Sequence, residues 1–564
     1  MKSWSYKPLP PTKDILPFAR ESKILSRLLW QRGLRTEKEI HTYLNPSLDD
    51  LSSPLLMRNM EKAAQRLEQA IEQKEHILIH GDYDVDGMSS VALCYLFLKQ
   101  HMPSSCLHSY LPHRQEGYGF SEAGLQSATE HSCTLILCLD CGTQDVEPIR
   151  RAQEKKIDVL VCDHHIPSPP LSNPYALLNP THPEDGYPCK ILSTAGVAFR
   201  LLEAVSELRN YPLEDLHAYL PMVALSICAD LVPLKEENRT LTYLGLKGWR
   251  TKVLPSLKAL ANQSKLANPI KPHDLSFKII PRLNAAGRMD HPKEAFKLLI
   301  SQEDEDIQQQ IRCLEEWNSQ RRSLQEKITQ EALKQIDSKK NIQVLFSRDW
   351  HIGVLGIVAS RCVEESRRPC IVLASQPGVG IWVGSARSVN GINIHQELKR
   401  CDHLLERFGG HSSAAGLSLR EENISLLSAK LNEGSNVGPP DLSYTEGIQI
   451  IDLSLELSQI SENMYQGIEQ LSPFGPENHE PVFSSTHLEL VSAPKWYREK
   501  HMELQVKDPR SGTRKRAIGF YMDKKNYEHI LKKGSTHLHL AYTLERDKFR
   551  QQELLLNIKD IALD

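Results

Sequence analysis

Residues 76–87, HILIHGDYDVDG, join a short apolar run to a polar, glycine-flanked loop and then to a helical pattern. Two more apolar runs follow, TLILCLD at 134–140 and DVLVCD at 158–163, with amphipathic helical segments between them. Continuous apolar strands that alternate with helices are typical of a parallel sheet covered on both faces. All three runs end at acidic residues or histidines, so we expect these polar groups at one edge of an α/β domain.

The loop after the first run contains four potential metal ligands within seven residues: His80, Asp82, Asp84 and Asp86. An EF-hand calcium loop also alternates acids, but it needs a glutamate at its twelfth position, where counting from Asp82 finds Leu93. An EF-hand is therefore disfavoured. Later strand ends and one apolar helical run add further candidates: Asp140, Asp163, His164, His165 and Asp230.

This ligand set predicts a particular chemistry. Mixed carboxylate and imidazole ligands favour Mn²⁺, Mg²⁺ or Zn²⁺, and a set without thiolates favours zinc less. Two ions about 4 Å apart can stabilise both oxygens of a phosphoryl displacement, which requires a carboxylate that bridges them. Taken singly, Asp140 or Asp230 would more often be a helix cap or a solvated strand end, but their coincidence favours a site.

Composition limits the class of protein. The 564 residues are 40% hydrophobic, enough for several domains, and the formal net charge of −3 gives no overall attraction to nucleic acid. DNA binding would therefore need local basic patches. The twelve cysteines are mostly scattered singly, which suits a reducing, cytoplasmic compartment. Cys138 and Cys141 form a C-x-x-C pair, but without a second pair we favour buried strand-end thiols over a zinc or redox site. No signal peptide or spanning apolar segment is evident.

The rest of the chain predicts further domains. Apolar positions recur at helical spacing from Ile307 to Ile336, which predicts a long amphipathic helix between two lobes. A second α/β segment follows it, then a linker candidate at 431–443, and then short alternating runs that suit a small β-barrel. The expected domains are an N-terminal segment at 1–50, the sheet domain at 51–265, a helical connection at 266–338, the second α/β domain at 339–432 and the barrel at 433–564.

Four segments resemble, in the same order, the motifs of the DHH phosphoesterase superfamily: HGDYDVDG, CLDCG, CDHH and ALSICADLVPL. Further segments resemble the RecJ family within it: HRQEGYGF, PRLNAAGRM, WHIGVLGIVASR, GSARS, FGGHSSAAG and LSPFGPENHEPVF. So many motifs in one order make a chance match implausible. The resemblance implies a parallel-sheet DHH domain, a long bridging helix, a DHH-associated α/β domain and an OB-like β-barrel.

The resemblance also implies a function. Members of this family are metal-dependent exonucleases that degrade single-stranded DNA from the 5′ end to mononucleotides, in DNA repair and recombination. The expected cofactors are two Mn²⁺ or Mg²⁺ ions. The expected partners of a monomeric enzyme are single-stranded DNA, a helicase and a single-stranded-DNA-binding protein. The alternatives are a hydrolase of dinucleotides or other short substrates, and a catalytically silent DNA-binding scaffold.

Residue roles follow from the same resemblance. The first metal would be held by His80, Asp84 and Asp140, and the second by Asp86, Asp140, His164 and Asp230. Asp140 would bridge both ions, with Asp82 as an auxiliary catalytic carboxylate. His165 would lie against the scissile phosphate or the leaving group.

Substrate contacts are expected in three places. Gly409, Gly410 and His411 would clamp a phosphate, although a simple glycine-rich turn is the alternative. Arginines suit phosphate or ordinary surface ion pairs, and the candidates are Arg282, Arg288 and Arg387, with Ser388. Trp496 and Tyr497 would stack on bases, beside a stretch from 495 to 516 with eight basic and three acidic residues. In a small barrel such aromatic residues are at least as often core residues.

Overall fold

The computed structural model describes residues 3–11, 23–251, 253–376, 380–389, 391–433, 448–522, 524, 527, 537–547 and 553–563. The chain divides into two compact units. One consists of Leu51–Val232 and Glu236–Asp441, and the other of Met1–Asp50, Pro233–Lys235 and Leu442–Asp564. The linker predicted at 431–443 lies mostly outside the described residues, and the expected domain limits stay predictions.

The parallel sheet predicted from the first apolar runs is present in the larger unit. Its strands are β2 (Ile77–Gly81), β3 (Leu107–Tyr110), β4 (Leu135–Leu139), β5 (Asp158–Cys162) and β6 (Ala176–Leu178). The order is β3-β2-β4-β5-β6, with every neighbouring pair parallel. Because β3 and β4 lie on opposite sides of β2, the strand order reverses there. Such a reversal opens a crevice at the carboxyl ends of the strands, where ligands bind in sheets of this kind.

Helices cover both faces of this sheet. The helices in this part of the chain are α3 (Met60–Gln73), α4 (Val85–His101), α5 (Glu122–Glu130), α6 (Val146–Glu154), α7 (Thr194–Arg209), α8 (Leu213–His217), α9 (Leu220–Asp230), α10 (Glu236–Thr251) and α11 (Pro255–Gln263). On one face α4, α7 and α9 pack together, and α4 is buried on nearly every side. On the other face, α5 and α6 pack against a core that includes Leu78, Phe120 and Cys138.

A helical region follows the sheet domain. It contains α12 (Pro272–Asp274), a π-helix at Leu275–Ile279, α13 (Ile280–Met289), α14 (Lys293–Ile300) and α15 (Asp304–Leu333). The long helix predicted from sequence is therefore confirmed. It begins three residues before Ile307 and ends at Leu333, so that Ile336 lies beyond it. Its buried positions, such as Ile307, Ile311 and Leu314, follow the helical period that predicted it.

The second α/β segment of the larger unit has a mixed sheet of order β10-β11-β9-β8-β7, in which only β7 and β8 are parallel. Its strands are β7 (Gln343–Ser347), β8 (Cys370–Ser375), β9 (Ile381–Arg387), β10 (Arg407–Gly410) and β11 (Ala414–Arg420). Its helices are α16 (Leu355–Ser366), α17 (Ile394–Lys399) and α18 (Asn423–Asn432). The predicted strands NIQVLF and CIVLAS correspond to β7 and β8.

The smaller unit contains the barrel. Its ring is ordered β13-β14-β18-β19-β17-β16-β15, and an additional pairing between β14 and β16 partly closes it. These strands are β13 (Leu453–Ser454), β14 (Phe483–Leu490), β15 (Lys495–Tyr497), β16 (His501–Lys507), β17 (Arg514–Phe520), β18 (Leu538–Arg546) and β19 (Leu554–Leu563). The unit also contains β1 (Trp4–Tyr6), β12 (Gln449–Ile451), α1 (Lys23–Gln31), α2 (Glu37–Leu44) and α19 (Glu462–Glu469). The multidomain α/β fold class with an OB-like barrel is confirmed.

Two further expectations concern cysteines and membranes. All twelve cysteines are free, and all except Cys313 are buried. Across the described part of the chain, none of the helices has the length and apolar character that a membrane crossing requires.

Candidate metal centre

The loop after β2 brings three aspartates close together. Asp84 caps α4, and its Oδ1 accepts hydrogen bonds from the N–H groups of Asp86 at 2.9 Å and Gly87 at 3.2 Å. Gly87 lies so close to the loop that an added Cβ would be 2.6 Å from the backbone nitrogen and oxygen of Asp82. A glycine is therefore required at this turn. Asp86 is buried, and it accepts hydrogen bonds from the Thr194 N–H at 3.2 Å and the Ser226 hydroxyl at 2.5 Å.

Asp140 directly follows β4 and has a left-handed backbone with φ of 65°. Non-glycine residues rarely adopt this conformation, and they keep it at functional sites when the surroundings enforce it. Here the Asp140 N–H donates to the Cys162 carbonyl at 3.0 Å, and the Tyr118 hydroxyl donates to the Asp140 carbonyl at 2.5 Å. The Thr194 hydroxyl donates to Asp140 Oδ1 at 2.8 Å. These contacts fix the carboxylate at the edge of the sheet.

Asp163 directly follows β5 and orients the two histidines after it. Its Oδ1 accepts from the His164 N–H at 2.7 Å and from the His165 N–H at 3.1 Å, and it lies 2.7 Å from His165 Nδ1. Burial acts to raise the pKa of Asp163, but the hydrogen bond and charge of His165 outweigh burial and lower it. The same pair raises the pKa of His165 to about 9 against the opposing effect of burial. Asp163 thus holds His165 in one orientation.

Candidate ligands from distant parts of the chain converge at this edge. The Nε2 atom of His164 lies 3.5–3.6 Å from one carboxylate oxygen of each of three aspartates: Asp86, Asp140 and Asp230. Ligand atoms that also lie within 4.8 Å of one another belong to Asp82, Asp84 and Asp140. Asp140 therefore belongs to both groups.

The arrangement fits divalent cations. Metal–ligand distances of about 2.0–2.2 Å place neighbouring ligand atoms about 2.8–3.6 Å apart, and the spacing around His164 lies at the upper end of this range. Two buried atoms that aim into the groups, His164 Nε2 and Asp82 Oδ1, have no hydrogen-bond partner among the described residues. A cation would satisfy both. Oxygen-rich ligand sets with imidazole suit Mn²⁺ and Mg²⁺.

The charges of the cluster also favour bound cations. Burial raises the pKa of Asp82, Asp84 and Asp140, and repulsion from neighbouring aspartates raises it further. Burial, followed by repulsion from Asp86, raises the pKa of Asp230 to about 6. Buried carboxylates in contact ionise together only if cations compensate them.

The structure places His80 differently from its expected position with Asp84 and Asp140. The fully buried His80 ring stacks on Tyr110 at 5.4 Å between centroids, and its Nδ1 lies 3.7 Å from Cys141 Sγ. Because side chains alternate along a strand, His80 shares the face of Leu78, which α5 and α6 cover. Asp82, expected to be auxiliary, takes its place beside the other two aspartates.

The C-x-x-C pair lies on this same face. The sulfur atoms of Cys138 and Cys141 are 3.3 Å apart, and both residues are buried. The interpretation of these cysteines as buried residues at a strand end agrees with this placement. Together with His80 they form a three-residue group of possible ligand atoms.

Arginines from three segments interact electrostatically with one another, and two of them, Arg114 and Arg288, also interact with Asp84. Arg288 is half-buried and donates to the Gly353 carbonyl at 3.1 Å. Burial, followed by repulsion from Arg114 and other arginines, lowers the pKa of Arg288 to about 9. Arg387 donates to the Ser385 hydroxyl and the Ala386 carbonyl, both at 2.9 Å. Crowded, partly desolvated guanidinium groups are suited to an anionic ligand.

Two residues of the HRQEGYGF segment were missed as site residues. Arg114 stacks on the Tyr83 ring at 4.2 Å and interacts electrostatically with Asp82, Asp84 and Arg288. The Tyr118 hydroxyl lies 3.0 Å from His165 Nδ1 and donates to Asp140, as described above. The segment itself was recognisable in the sequence, but which of its side chains face the aspartates was not.

The remaining residues expected to contact phosphate lie in different surroundings. Arg282 forms an ion pair with Glu315 at 2.6 Å, which matches the alternative interpretation as an ion pair. The Ser388 N–H donates to the Ser413 carbonyl at 2.9 Å, so the segments GSARS and FGGHSSAAG lie side by side. In the β10–β11 hairpin, Gly409 and His411 are exposed, as is Gly410 with its φ of 136°.

In the barrel, the two aromatic residues expected to stack on bases differ in burial. Trp496 packs against the hydrophobic core, whereas Tyr497 is 51% exposed. Tyr497, His501 and Phe520 are paired across β15, β16 and β17, so these rings form one row. Tyr521 beside them is 85% exposed, and Phe520 is 48% exposed. Sequence reasoning missed Phe520 and Tyr521, although GFYM at a strand end was a usable signal.

Three family models match the chain. Residues 76–227 match the DHH family N-terminal domain, residues 339–434 match the DHHA1 domain, and residues 451–560 match the RecJ OB domain. The three models follow one another in the order expected from the sequence motifs.

Curated relatives match over most of the chain. A single-stranded-DNA-specific exonuclease RecJ from Haemophilus influenzae is 31% identical over 95% of this chain and 95% of its own length. The RecJ of Escherichia coli is 30% identical over the same shares. The RecJ of Bacillus subtilis is 34% identical over 81% of this chain, but the match spans only 58% of that protein.

Solved structures of RecJ proteins are also similar to this chain. The crystal structure of RecJ in complex with Mn²⁺ from Thermus thermophilus has a TM-score of 0.81 and 25% identity, covering all of this chain and 80% of that one. A crystal structure of exonuclease RecJ bound to manganese has a TM-score of 0.61 and 30% identity, over 68% of this chain and 96% of that one.

Proposed function

This chain belongs to the RecJ family of single-stranded-DNA-specific exonucleases, and on that premise we propose that it hydrolyses single-stranded DNA from the 5′ end to mononucleotides, with two Mn²⁺ or Mg²⁺ ions. The proposal includes a role in DNA repair and recombination. It rests on one observation above all. His164 Nε2 lies 3.5–3.6 Å from three aspartates, one of which, Asp140, also belongs to a second aspartate group.

The residues divide between two ions that share one ligand. Asp82, Asp84 and Asp140 would hold the first ion, and Asp86, Asp140, His164 and Asp230 would hold the second. When bound, the pair of ions supplies an activated water and compensates the charge that develops on the phosphate. The hydrogen bonds to Asp86 and Asp140 from Thr194 keep these carboxylates in place.

His165 acts on the substrate. Asp163 holds its Nδ1 at 2.7 Å, so Nε2, which lies 3.2 Å from the Tyr118 hydroxyl, is the ring atom that can donate to a phosphate oxygen beside Asp140. Tyr118 contacts both the His165 ring and the Asp140 carbonyl, and therefore fixes the distance between them. A donor held in place in this way stabilises transition-state charge without reorganising.

Arginines bind the 5′ end of the strand. Arg114 and Arg387 both act electrostatically on Arg288, and Arg114 and Arg288 interact with Asp84, which places positive charge beside the acidic centre. A terminal 5′ phosphate carries more negative charge than an internal diester, so it competes best for crowded guanidinium groups. Recognition of that phosphate gives digestion its direction. Ser388 and the exposed β10–β11 hairpin extend the same surface along the strand.

The barrel supplies a second contact to DNA. The row of Tyr497, His501 and Phe520, with Tyr521, offers stacking faces to unpaired bases. Lys495 and Arg514, at the ends of β15 and β17, add positive charge to the same domain. Stacking is indifferent to base identity, as a nuclease of general specificity requires.

The test is digestion of end-labelled oligonucleotides. We expect the wild type with Mn²⁺ to release the 5′ label first from a 5′-phosphorylated single strand and to leave blunt duplex intact. Asp140→Ala removes the ligand that both ions share, so we expect a loss of at least about 10³-fold. Asp349→Ala, an exposed aspartate outside the cluster, is the matched control and should keep full activity.

Three results would contradict the proposal. Release of the 3′ label first would refute the polarity. Faster hydrolysis of a dinucleotide than of a long strand would favour a hydrolase of short substrates. Full activity in Asp140→Ala would refute the proposed centre.

Single-strand specificity implies partners. A duplex must be opened before digestion, so a helicase would supply the strand and a single-stranded-DNA-binding protein would keep it open. We expect added helicase and ATP to make blunt duplex digestible. Unchanged duplex in that reaction would argue against this supply route.

A further inference from the structure

A group of sulfur and nitrogen ligands lies on the face of the parallel sheet that α5 and α6 cover. Cys138, Cys141 and His80 each offer one ligand atom, these atoms lie within 4.8 Å of one another, and all three residues are buried. In the sequence, the C-x-x-C pair lacked further ligands at the spacing of a metal site. The structure supplies a third ligand from another strand, which sequence spacing could not show.

Strand pairing brings His80 and Cys138 together. His80 is the fourth residue of β2, and it is the direct partner of Cys138 in the parallel register of β2 and β4. Paired residues of neighbouring strands point to the same face of a sheet. The imidazole and the first thiol are therefore neighbours because of the register itself.

The turn after β4 adds the second thiol. Residues three apart in a regular strand point to opposite faces. Here Asp140 with φ of 65° and Gly142 with φ of 107° turn the chain, and Cys141 Sγ lies 3.3 Å from Cys138 Sγ. A Cβ on Gly142 would be 3.2 Å from Cys138 Sγ, so the glycine also leaves room for the sulfur. The turn that presents Asp140 to the acidic centre thus presents Cys141 to the opposite face.

The distances suit a metal ion that prefers sulfur. Cys141 Sγ lies 3.7 Å from His80 Nδ1. A tetrahedral ion with Zn–S of about 2.3 Å and Zn–N of about 2.0–2.1 Å places sulfur and nitrogen about 3.6 Å apart and two sulfurs about 3.8 Å apart. The sulfur–nitrogen spacing already matches. The two sulfurs would have to separate by about 0.5 Å, which a small rotation of one cysteine side chain provides.

The His80 ring is held in a position without a strong hydrogen bond. It stacks on Tyr110 and meets the edge of Phe120, and a Cβ on Gly124 would be 2.6 Å from its Cδ2 atom. Its buried Nε2 has no hydrogen-bond partner among the described residues, and the neighbour of Nδ1 is a thiol, a weak hydrogen-bonding group. Buried polar groups are normally hydrogen-bonded, so coordination through Nδ1 would compensate the burial of this ring.

We propose that His80, Cys138 and Cys141 bind one thiophilic cation, Zn²⁺ or Cu⁺, separate from the ions of the acidic centre. On binding, both thiols release their protons to solvent and the imidazole contributes the lone pair of Nδ1. Thiolates select such metals, whereas carboxylates suit Mn²⁺ and Mg²⁺, so each site keeps its own kind of ion. The bound cation ties β2 to the turn after β4 and stabilises the backbone that holds Asp140.

The experiment uses the full chain, reduced and saturated with Mn²⁺, and Co²⁺ as the probe. Thiolate-bound Co²⁺ shows a charge-transfer band in the near ultraviolet, which Co²⁺ on carboxylates and imidazole lacks. Co²⁺ is added to the folded chain and, in a parallel sample, during refolding, because a buried site is reached through opening of the fold. We expect one thiolate-bound Co²⁺ per chain and an unfolding midpoint raised by at least about 3 °C. Displacement by Zn²⁺ or by Cu⁺ then shows which of these two ions the site prefers.

Three variants complete the test. His80→Phe keeps a ring against Tyr110 but removes the nitrogen, and we expect at least about 10-fold weaker Co²⁺ binding. Cys141→Ala leaves a single thiol and should abolish the band. Cys94→Ala, a buried cysteine of α4 outside the group, should behave as the wild type.

Three results would overturn the proposal. They are a wild type without the thiolate band in both samples, a His80→Phe variant that binds Co²⁺ as tightly as the wild type, and a Cys94→Ala variant that loses as much of the band as Cys141→Ala. The two thiols and the imidazole would then be core packing and nothing more.

Discussion

The acidic centre and the aromatic face of the barrel both serve DNA in our proposal, but they are built differently. The centre collects mutually repelling groups, most of them buried or half-buried, from the ends of β2, β4, β5 and α9. The face is a row of exposed rings on three neighbouring strands, paired residue by residue. In the centre each group depends on its neighbours, whereas on the face each ring contributes nearly independently.

Substitutions should therefore be more costly in the centre than on the barrel face. Ligands that share one ion act as a unit, so the loss of one affects the whole reaction. Rings that stack on successive bases contribute additively, so the loss of one leaves the others in place. The following predictions test that contrast, beginning with the largest effect.

His164→Ala should reduce exonuclease turnover by about 10³-fold or more, because Nε2 is the atom around which three aspartates are arranged. Steady-state digestion of a labelled single strand at saturating Mn²⁺ measures the effect. His403→Ala, an exposed histidine outside the centre, is the control. A loss of less than about 10-fold would mean that the centre tolerates the absence of a ligand and that the contrast with the barrel is false.

Arg387→Gln should reduce kcat/KM about 10- to 100-fold on a 5′-phosphorylated strand, since a charge-assisted hydrogen bond contributes about 1.5–3 kcal/mol. The loss should be much smaller on a strand with a 5′ hydroxyl. The ratio of the two substrates is therefore the measurement. Arg361→Gln, an exposed arginine of α16, should leave that ratio unchanged. Equal losses on both substrates would remove Arg387 from recognition of the terminal phosphate.

Tyr521→Ala should weaken binding of single-stranded DNA about 5-fold or more, because one stacked base contributes at least about 1 kcal/mol. Turnover at saturating DNA should not change. Phe520→Ala should have a similar effect, and the double variant should show the sum of the two free energies. Fluorescence anisotropy with a labelled oligonucleotide provides the affinities. Strongly non-additive losses would show that the barrel face also acts as a unit.

Asp230→Asn should change stability in opposite directions with and without metal. The folded-state pKa of Asp230 is about 6, above its ordinary value of 3.8, so protonation stabilises the metal-free fold. That stabilisation is complete below pH 3.8 and is lost as the pH rises through 6. In EDTA at pH 8 the variant should therefore be more stable by roughly 1 kcal/mol, after allowance for the partly exposed carboxylate.

Two outcomes check this pH dependence. The advantage of Asp230→Asn should shrink between pH 8 and pH 5, as the wild-type carboxyl takes up its proton. With saturating Mn²⁺ the order should reverse, since the wild type keeps a ligand that the variant lacks. Chemical denaturation at each pH measures both. A wild type that is more stable than the variant in EDTA at pH 8 would show that repulsion at Asp230 does not strain the fold.

Much of the fold was predictable because its signals are local. Apolar runs ending in acids predicted β2, β4 and β5 and the edge where their ligands meet, and helical spacing predicted α15. The order of the motifs was enough to identify the family. Convergence of Asp84, Asp140 and His164 followed from one rule, that parallel strands end at the same edge of a sheet. Asp230, at the end of α9, was added by the resemblance to the family's motifs.

Side-chain direction was decided only by the tertiary structure. Sequence spacing made His80 and Asp82 equal candidates, but alternation along β2 and the packing of α5 against one face turned His80 into the core. Arg282 and Arg387 looked alike in the sequence, yet Glu315 on α15 pairs with Arg282 alone. A residue's type and spacing determine which chemistry it can perform. Which neighbours it meets depends on long-range packing, because the partners come from segments far apart in the chain.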